Sequence, residues 1–291
     1  MENRTYFLIN SFKDLMRRRR WLIALAVPVL LSLPFVYVQL TERPSLHRDW
    51  SPDQGVMPRT TIDGDKATID KVRNFTYRAT DDYTPAYEQR TYDLARLDSV
   101  WFVVEHFGDA PAIAHTFLSF GFGGEYVAIS VEIRKERGEV YSPLKGLLRQ
   151  YELMYVVADE RDVIGLRTNF RRDPVFLYPV KTTRERIRKM FLEMLARANR
   201  LAVEPEFYNS LTNNCTSNIV AHVNTLAPQR IPLSYKTIFP AYSDRLAYEL
   251  GLIPTDQAFD KVQAAHRIDL VAQREQVGPD FSTLIRAKIG K

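Results

Sequence analysis

An apolar run from Trp21 to Val38, with Lys13 and Arg17 to Arg20 directly before it, constrains this chain more than any other feature. Ser32 is its only ordinary polar residue, and its length suits a bilayer core, which takes about 17–25 residues. Pro28 and Pro34 are compatible with a membrane helix. Basic residues on the N-terminal side predict a cytoplasmic N-terminus and an exported remainder. A cleaved signal peptide would have a shorter apolar core and a small-x-small site after it, and Tyr37-Val38-Gln39-Leu40-Thr41-Glu42 offers none. The reading is a basic segment over 1–20, a single-pass anchor over 21–40, a polar, Pro-containing linker over 41–62 and an exported domain beyond.

Charge supports that topology. The chain has 40 Lys and Arg against 35 Asp and Glu, a net charge of +5. Most of the excess lies in Arg4, Lys13 and Arg17 to Arg20, so the exported part is close to neutral. The basic balance is thus a membrane-orientation signal and not a nucleic-acid footprint, and no nucleic-acid partner is expected.

The exported part is long enough for one large domain. Ser99 to His106 is a continuous run of β-formers, which predicts a strand buried on both faces. Ala114 to Phe122 and Tyr126 to Arg134 read as a strand pair joined by a Gly123-Gly124 turn. Met154 to Ala158, Val163 to Thr168 and Val175 to Val180 also read as strands. Leu144 to Tyr151 reads as a helix, and Thr182 with Glu185 forms a capping box opening a helix to about Leu201. Beyond Pro240 the chain reads as mixed and mostly helical. A central block of strands with flanking helices gives an α+β class.

Cys215 is the only cysteine, so an exported chain of this kind has no disulfide. It follows Asn213 and Asn214, both good helix caps, and precedes apolar residues at helical spacing to about Leu226. That puts the thiol in a first helical turn, where unpaired N–H groups and the macrodipole favour a thiolate. Two readings stand: a nucleophile, or a small buried hydrophobe.

A nucleophilic thiol needs a base. His47 falls in the linker, His266 in a charged late segment and His106 beside a Gly-Asp turn. His222 is seven residues after Cys215 on the same helix, about 10 Å along the axis. His115, at the start of a strand, is the best candidate base; the alternative is a core histidine bonded to a backbone carbonyl. Glu132, across the hairpin, would orient the imidazole, or else form a surface ion pair with Arg134 or Lys135. Asn213, Asn214, Tyr208 and the Cys215 N–H are candidate donors to an oxyanion, with Asn213 and Asn214 also readable as supporting caps. No HExxH, paired-cysteine, His-cluster or GxSxG pattern occurs, so no metal and no cofactor is expected.

Several segments in order resemble the Lnb N-terminal periplasmic domain family: Ala114-His115-Thr116-Phe117-Leu118-Ser119-Phe120-Gly121-Phe122, Ser130-Val131-Glu132-Ile133-Arg134-Lys135-Glu136-Arg137-Gly138-Glu139, Glu160-Arg161-Asp162-Val163-Ile164, Arg197-Ala198-Asn199-Arg200-Leu201 and Phe207 to Thr216. The resemblance covers roughly residues 95–250. It implies a papain-like thiol enzyme of the permuted NlpC type, with a central antiparallel sheet, flanking helices and the His strand before the Cys helix. It also implies a Cys215–His115 pair in the periplasm of a bacterium, beside the inner membrane. Better-known members transfer an acyl chain to the N-terminal amine of lipoproteins, which implies a phospholipid acyl donor and a lipoprotein acceptor. Those members carry further membrane helices after this domain, whereas one anchor precedes it here. The expected domain spans 63–250, with a helical tail over 251–291.

Three functions follow. A membrane-anchored thiol acyltransferase would draw on membrane lipid and have an apolar groove. A thiol hydrolase of envelope peptides or amides would use the same pair in an open, polar cleft. A non-catalytic envelope protein would leave Cys215 and His115 apart or fully packed.

Overall fold

The computed structural model describes residues 19, 21, 22, 24, 26–30, 32–108, 113–227, 230–274, 277–287 and 289. Apart from Arg19, the basic segment expected over 1–20 lies outside the described residues, as do positions 23, 25 and 31 of the expected anchor. The chain divides into two units, Met1–Arg43 and Pro44–Lys291. In the first, residues 32–41 are helical. Among the described residues no helix is long and apolar enough to cross a membrane.

The second unit is α+β. Its strands are β1 (Arg59–Asp63), β2 (Lys66–Arg73), β3 (Thr76–Tyr77), β4 (Tyr83–Thr84), β5 (Tyr87–Asp93), β6 (Ser99–His106), β7 (Ala114–Phe122), β8 (Glu125–Arg134), β9 (Glu152–Ala158) and β10 (Val175–Pro179). Eight of them form one sheet in the order β1-β2-β9-β8-β7-β6-β10, with β5 also on β2. The expected central antiparallel sheet is corrected in one place: β2 meets β9 in parallel, at Arg73 and Ala158, so the sheet is mixed.

Alternation along the central strands explains why both faces are covered. Leu118, Phe120 and Phe122 of β7 join Tyr155 and Val157 of β9 in one core. Phe117 of β7 joins Met154, Val156 and Ala158 of β9 in the other. The helix Arg184–Leu201 covers the first face because Ile187, Met190, Phe191, Met194, Leu195 and Ala198 recur at helical spacing. Its cap is Thr183, whose side chain accepts from the Arg186 N–H, and not the expected Thr182. The β7–β8 turn falls on Gly123 and Gly124, with φ of 66° and 101°, where side chains are strained and glycine is not.

Three expectations fail. Val163–Thr168 is not a strand: Glu160–Gly165 is an α-helix that runs on as a π-helical segment, Leu166–Arg171. Asp159 caps it by accepting from the Arg161 N–H, and the turn buries Asp162 and Arg167 as ion-pair partners, which a strand would split between two faces. The helix expected over 144–151 is only Pro143–Leu147, because Glu152 already starts β9. Much of the expected linker 41–62 is packed. The Ser45 N–H donates to Glu152 at 2.9 Å, Trp50 bridges to Glu136, Gln54 is buried, and β1 pairs with β2.

The tail expected over 251–291 also belongs to this unit. Ile268, Ala272, Phe281 and Ile285 complete the second core. Arg286 reaches Glu160 at 2.6 Å and lies over Tyr126 and Trp101.

Candidate functional site

The Cys215 helix, Cys215–Leu226, begins as the asparagines predict. Asn214 is the N-cap: its side chain accepts from the Ser217 N–H at 2.8 Å, and Ser217 Oγ accepts in return from the Asn214 N–H at 2.8 Å. Asn214 Nδ2 donates to the carbonyls of Ser210 and Ile238, which uses both of its hydrogens. Asn213 Nδ2 donates to the Phe207 carbonyl, and its Oδ1 accepts from Asn218. These two side chains therefore hold the turn before the cysteine. Asn214→Ala is expected to cost about 1–2 kcal/mol, read as a lowered midpoint in urea with unchanged slope.

Cys215 is buried and points at β7. His115 and Thr116 are the neighbours that favour its thiolate. His115 Nε2 lies 2.7 Å from Ser130 Oγ and 3.1 Å from Glu132 Oε1. The register explains the meeting: β6 sets Glu105 opposite His115, and extending the Phe117–Ser130 pairing of β7 with β8 sets Glu132 opposite it on the other side.

The surface pair expected as the alternative for Glu132 is absent. Glu132 Oε1 accepts from Ser130 Oγ at 2.7 Å and from Arg167 Nη2 at 3.0 Å. Arg134 instead donates to the carbonyls of Gln54 and Gly55 and lies over Trp50. Arg167 also holds the fully buried Glu105 at 2.6 Å and sits over the Phe117 ring, itself stacked on His115. Sequence reasoning missed Ser130, Arg167 and Glu105. Glu105 left one trace, a lone acid inside an apolar strand.

The electrostatics follow from these contacts. Burial opposes charge on His115, but the Glu132 carboxylate and the hydrogen bond to Cys215 outweigh it, and its pKa rises to about 9. Burial alone would raise the Cys215 thiol, yet the His115 hydrogen bond and charge hold it below its ordinary value. Glu132 is likewise buried, and His115 with Arg167 keeps it well below the usual carboxylate range. All three shifts favour the charged forms of thiol, imidazole and carboxyl together.

Cys215, His115 and Glu132 open on a cleft of about 430 Å³, with Tyr208 and Tyr141 on its wall. Tyr208 is buried, and burial together with the negative charge at Cys215 raises its pKa well above the ordinary tyrosine value. Its hydroxyl thus stays protonated in the same cleft as the thiol. Charged side chains line the rest: Glu105, Lys135, Arg167, Arg171 and Asp173.

Two other histidines are held elsewhere: His222 by Tyr155 and Glu193, His266 by the Val262 carbonyl. Among the described residues no group of His, Cys, Asp and Glu is placed to hold a metal ion.

A family model described as the Lnb N-terminal periplasmic domain matches residues 83–241, more than half of the chain. The chain belongs to that family. The match takes in β6 to β10, the Arg184–Leu201 helix and the Cys215 helix, so the Lnb N-terminal periplasmic domain contains His115, Glu132, Arg167 and Cys215 together. Membership indicates a periplasmic envelope protein. No curated protein and no solved structure matches the chain. Other motif positions of this Lnb domain are architectural. Glu160 binds Arg286 and Ser119, Asp162 binds Arg73 and Tyr77, and Arg197 binds Glu206.

Proposed function

We propose that this domain is a cysteine acyl-transfer enzyme of the periplasm that works through a thioester on Cys215. The observation that carries the reading is the buried thiol held below its ordinary pKa by His115, itself held by Glu132, at the wall of an open cleft. The thiolate attacks the donor's carbonyl carbon, forming the C–S bond, and the carbonyl electron pair moves to oxygen. The Cys215 N–H and the Tyr208 hydroxyl would steady that oxyanion. As the tetrahedral centre collapses, the C–N or C–O bond breaks and the His115 imidazolium gives its proton to the leaving group. The neutral imidazole then takes a proton from the incoming nucleophile, which attacks the thioester and releases the thiolate. This is the papain-like scheme.

The apolar segment over 21–40 serves as the membrane anchor of the domain. Support comes from its exposed apolar side chains, among them Trp21, Leu22, Leu30, Leu33 and Tyr37. An anchor would present lipid at high local concentration, which favours transfer of a phospholipid acyl chain to a lipoprotein amine. A second reading, hydrolysis of an envelope peptide or amide, is favoured by one specific feature, the charged lining of the cleft.

Intact-protein mass analysis separates them. The anchored protein is incubated with phospholipid vesicles or with amide-bearing peptides, beside Cys215→Ala. A hydroxylamine-labile gain of one fatty-acyl mass, lost in Cys215→Ala, supports the lipid transferase. Peptide cleavage lost in Cys215→Ala, without a lipid adduct, supports the hydrolase. Neither product from wild type rejects the thioester.

A further inference from the structure

The arginines of the cleft are paired with its glutamates. Arg167 joins Glu105 to Glu132, and Arg171 reaches Glu105 at 3.2 Å. Asp173 also lines the cleft; burial and the neighbouring Glu105 push its pKa up to about 6, so it is an anion at neutral pH, and it makes no salt bridge to Lys135. Lys135 lines the same cleft, yet among the described residues its ammonium has no carboxylate in salt-bridge contact. Its backbone is fixed at both ends. The Lys135 N–H donates to Gln54 Oε1 at 2.8 Å, and its carbonyl accepts from the Ser51 N–H at 2.9 Å. Gln54 is itself buried and lines the cleft. The segment before β1 thus anchors a half-buried cation in the cleft that holds the thiol, without neutralising it. An unpaired cation in a partly dry site has a strong attraction for any anion that enters it.

We propose that Lys135 is a specificity residue that seats a carboxylate of the acyl donor next to the reacting carbonyl. The inference rests on the Cys215 thioester reading and narrows its substrate class to donors that bear a carboxylate near the acyl carbon. A single carboxylate fits better than a phosphate dianion on two grounds. The forked guanidinium groups that suit phosphate are engaged by Glu105 and Glu132. Glu105 and Glu132, both held in the ionised form, would also repel a second negative charge.

Two small thiol reagents of nearly equal size test this, iodoacetate (anionic) and iodoacetamide (neutral). The ratio of their alkylation rates at Cys215, measured on the full chain, reports an anion seat and cancels general changes in thiol reactivity. The expected result is a ratio about tenfold lower in Lys135→Met than in wild type, kept in Lys135→Arg, and kept in Lys145→Met, which removes a charge outside the cleft. An equal ratio in wild type and Lys135→Met would overturn the proposal. The neutral reagent reads the Cys215 pair separately. If its wild-type rate at neutral pH is that of an ordinary thiol, the pair fails, and the ratio taken at pH 9, where an ordinary thiol is ionised, still decides Lys135.

Discussion

His115→Ala is expected to lower alkylation of Cys215 by iodoacetamide at pH 7 at least tenfold, and thioester formation by about 10²–10⁴-fold. Two effects act in the same direction. Burial raises the thiol, and the opposing influence of His115 is the largest that lowers it, so removing the imidazole raises the Cys215 pKa. The chain also loses the group that protonates the leaving atom. The two losses can be separated by pH. In wild type the thiolate–imidazolium pair exists between the lowered pKa of Cys215 and the raised pKa of His115, about 9. Acyl transfer needs both charges, so its rate should fall as pH rises through about 9, where His115 loses its proton. Alkylation needs only the thiolate and should not fall there. In His115→Ala, alkylation should instead climb with pH into the ordinary cysteine range near 8.5. A wild-type alkylation profile that also titrates like a free thiol would reject the pair.

Glu132→Gln moves the same quantities by a smaller amount. Glu132 is the strongest influence raising His115, so the upper limb of the acyl-transfer profile should shift below 9. The amide still accepts from Ser130 and Arg167, so the ring keeps its place and the change appears in pH dependence more than in stability.

The parts of the site that sequence could reach are those fixed by local chemistry. Asn214 before Cys215 announces a helix start because its side chain caps the residue three ahead. The Gly123-Gly124 turn fixes the hairpin, and hairpin register brings Glu132 to His115. What sequence could not reach depends on distant partners. Arg167 meets Glu105 and Glu132 across 62 and 35 positions, and nothing near Arg167 signals either. The same run, Val163-Ile164-Gly165-Leu166, has the composition of a buried strand. It is helical because Asp159 caps it and because Asp162 must reach Arg73, 89 positions away. The segment over 44–57 misled for the same reason, since its polarity is satisfied by Glu152, Glu136 and Lys135 and not by water.

Arg167→Gln is expected to be the most damaging single change away from the thiol and its base. Its guanidinium is 4 % exposed and holds Glu105, which has no exposure at all. Removing one partner of a buried pair leaves the other charge uncompensated, at about 3–5 kcal/mol. For a domain of this size that lowers the melting temperature by roughly 10 °C. Arg171, at 3.2 Å on the other Glu105 oxygen and one-third exposed, compensates only in part. Arg167→Lys restores a charge but not the fork that spans Glu105, Glu132 and the Val163 carbonyl together, so it should recover little. The double change Arg167→Met with Glu105→Met removes both buried charges and should recover most of the stability. It should not recover the chemistry. Glu132 would keep Ser130 and His115 but lose its third donor, and thioester formation should stay on the order of tenfold slow in a protein that melts near wild type. If the double variant regains full rate along with stability, Arg167 serves the core alone. If it regains stability without rate, the π-helical segment Leu166–Arg171 is what sets the acid behind the histidine.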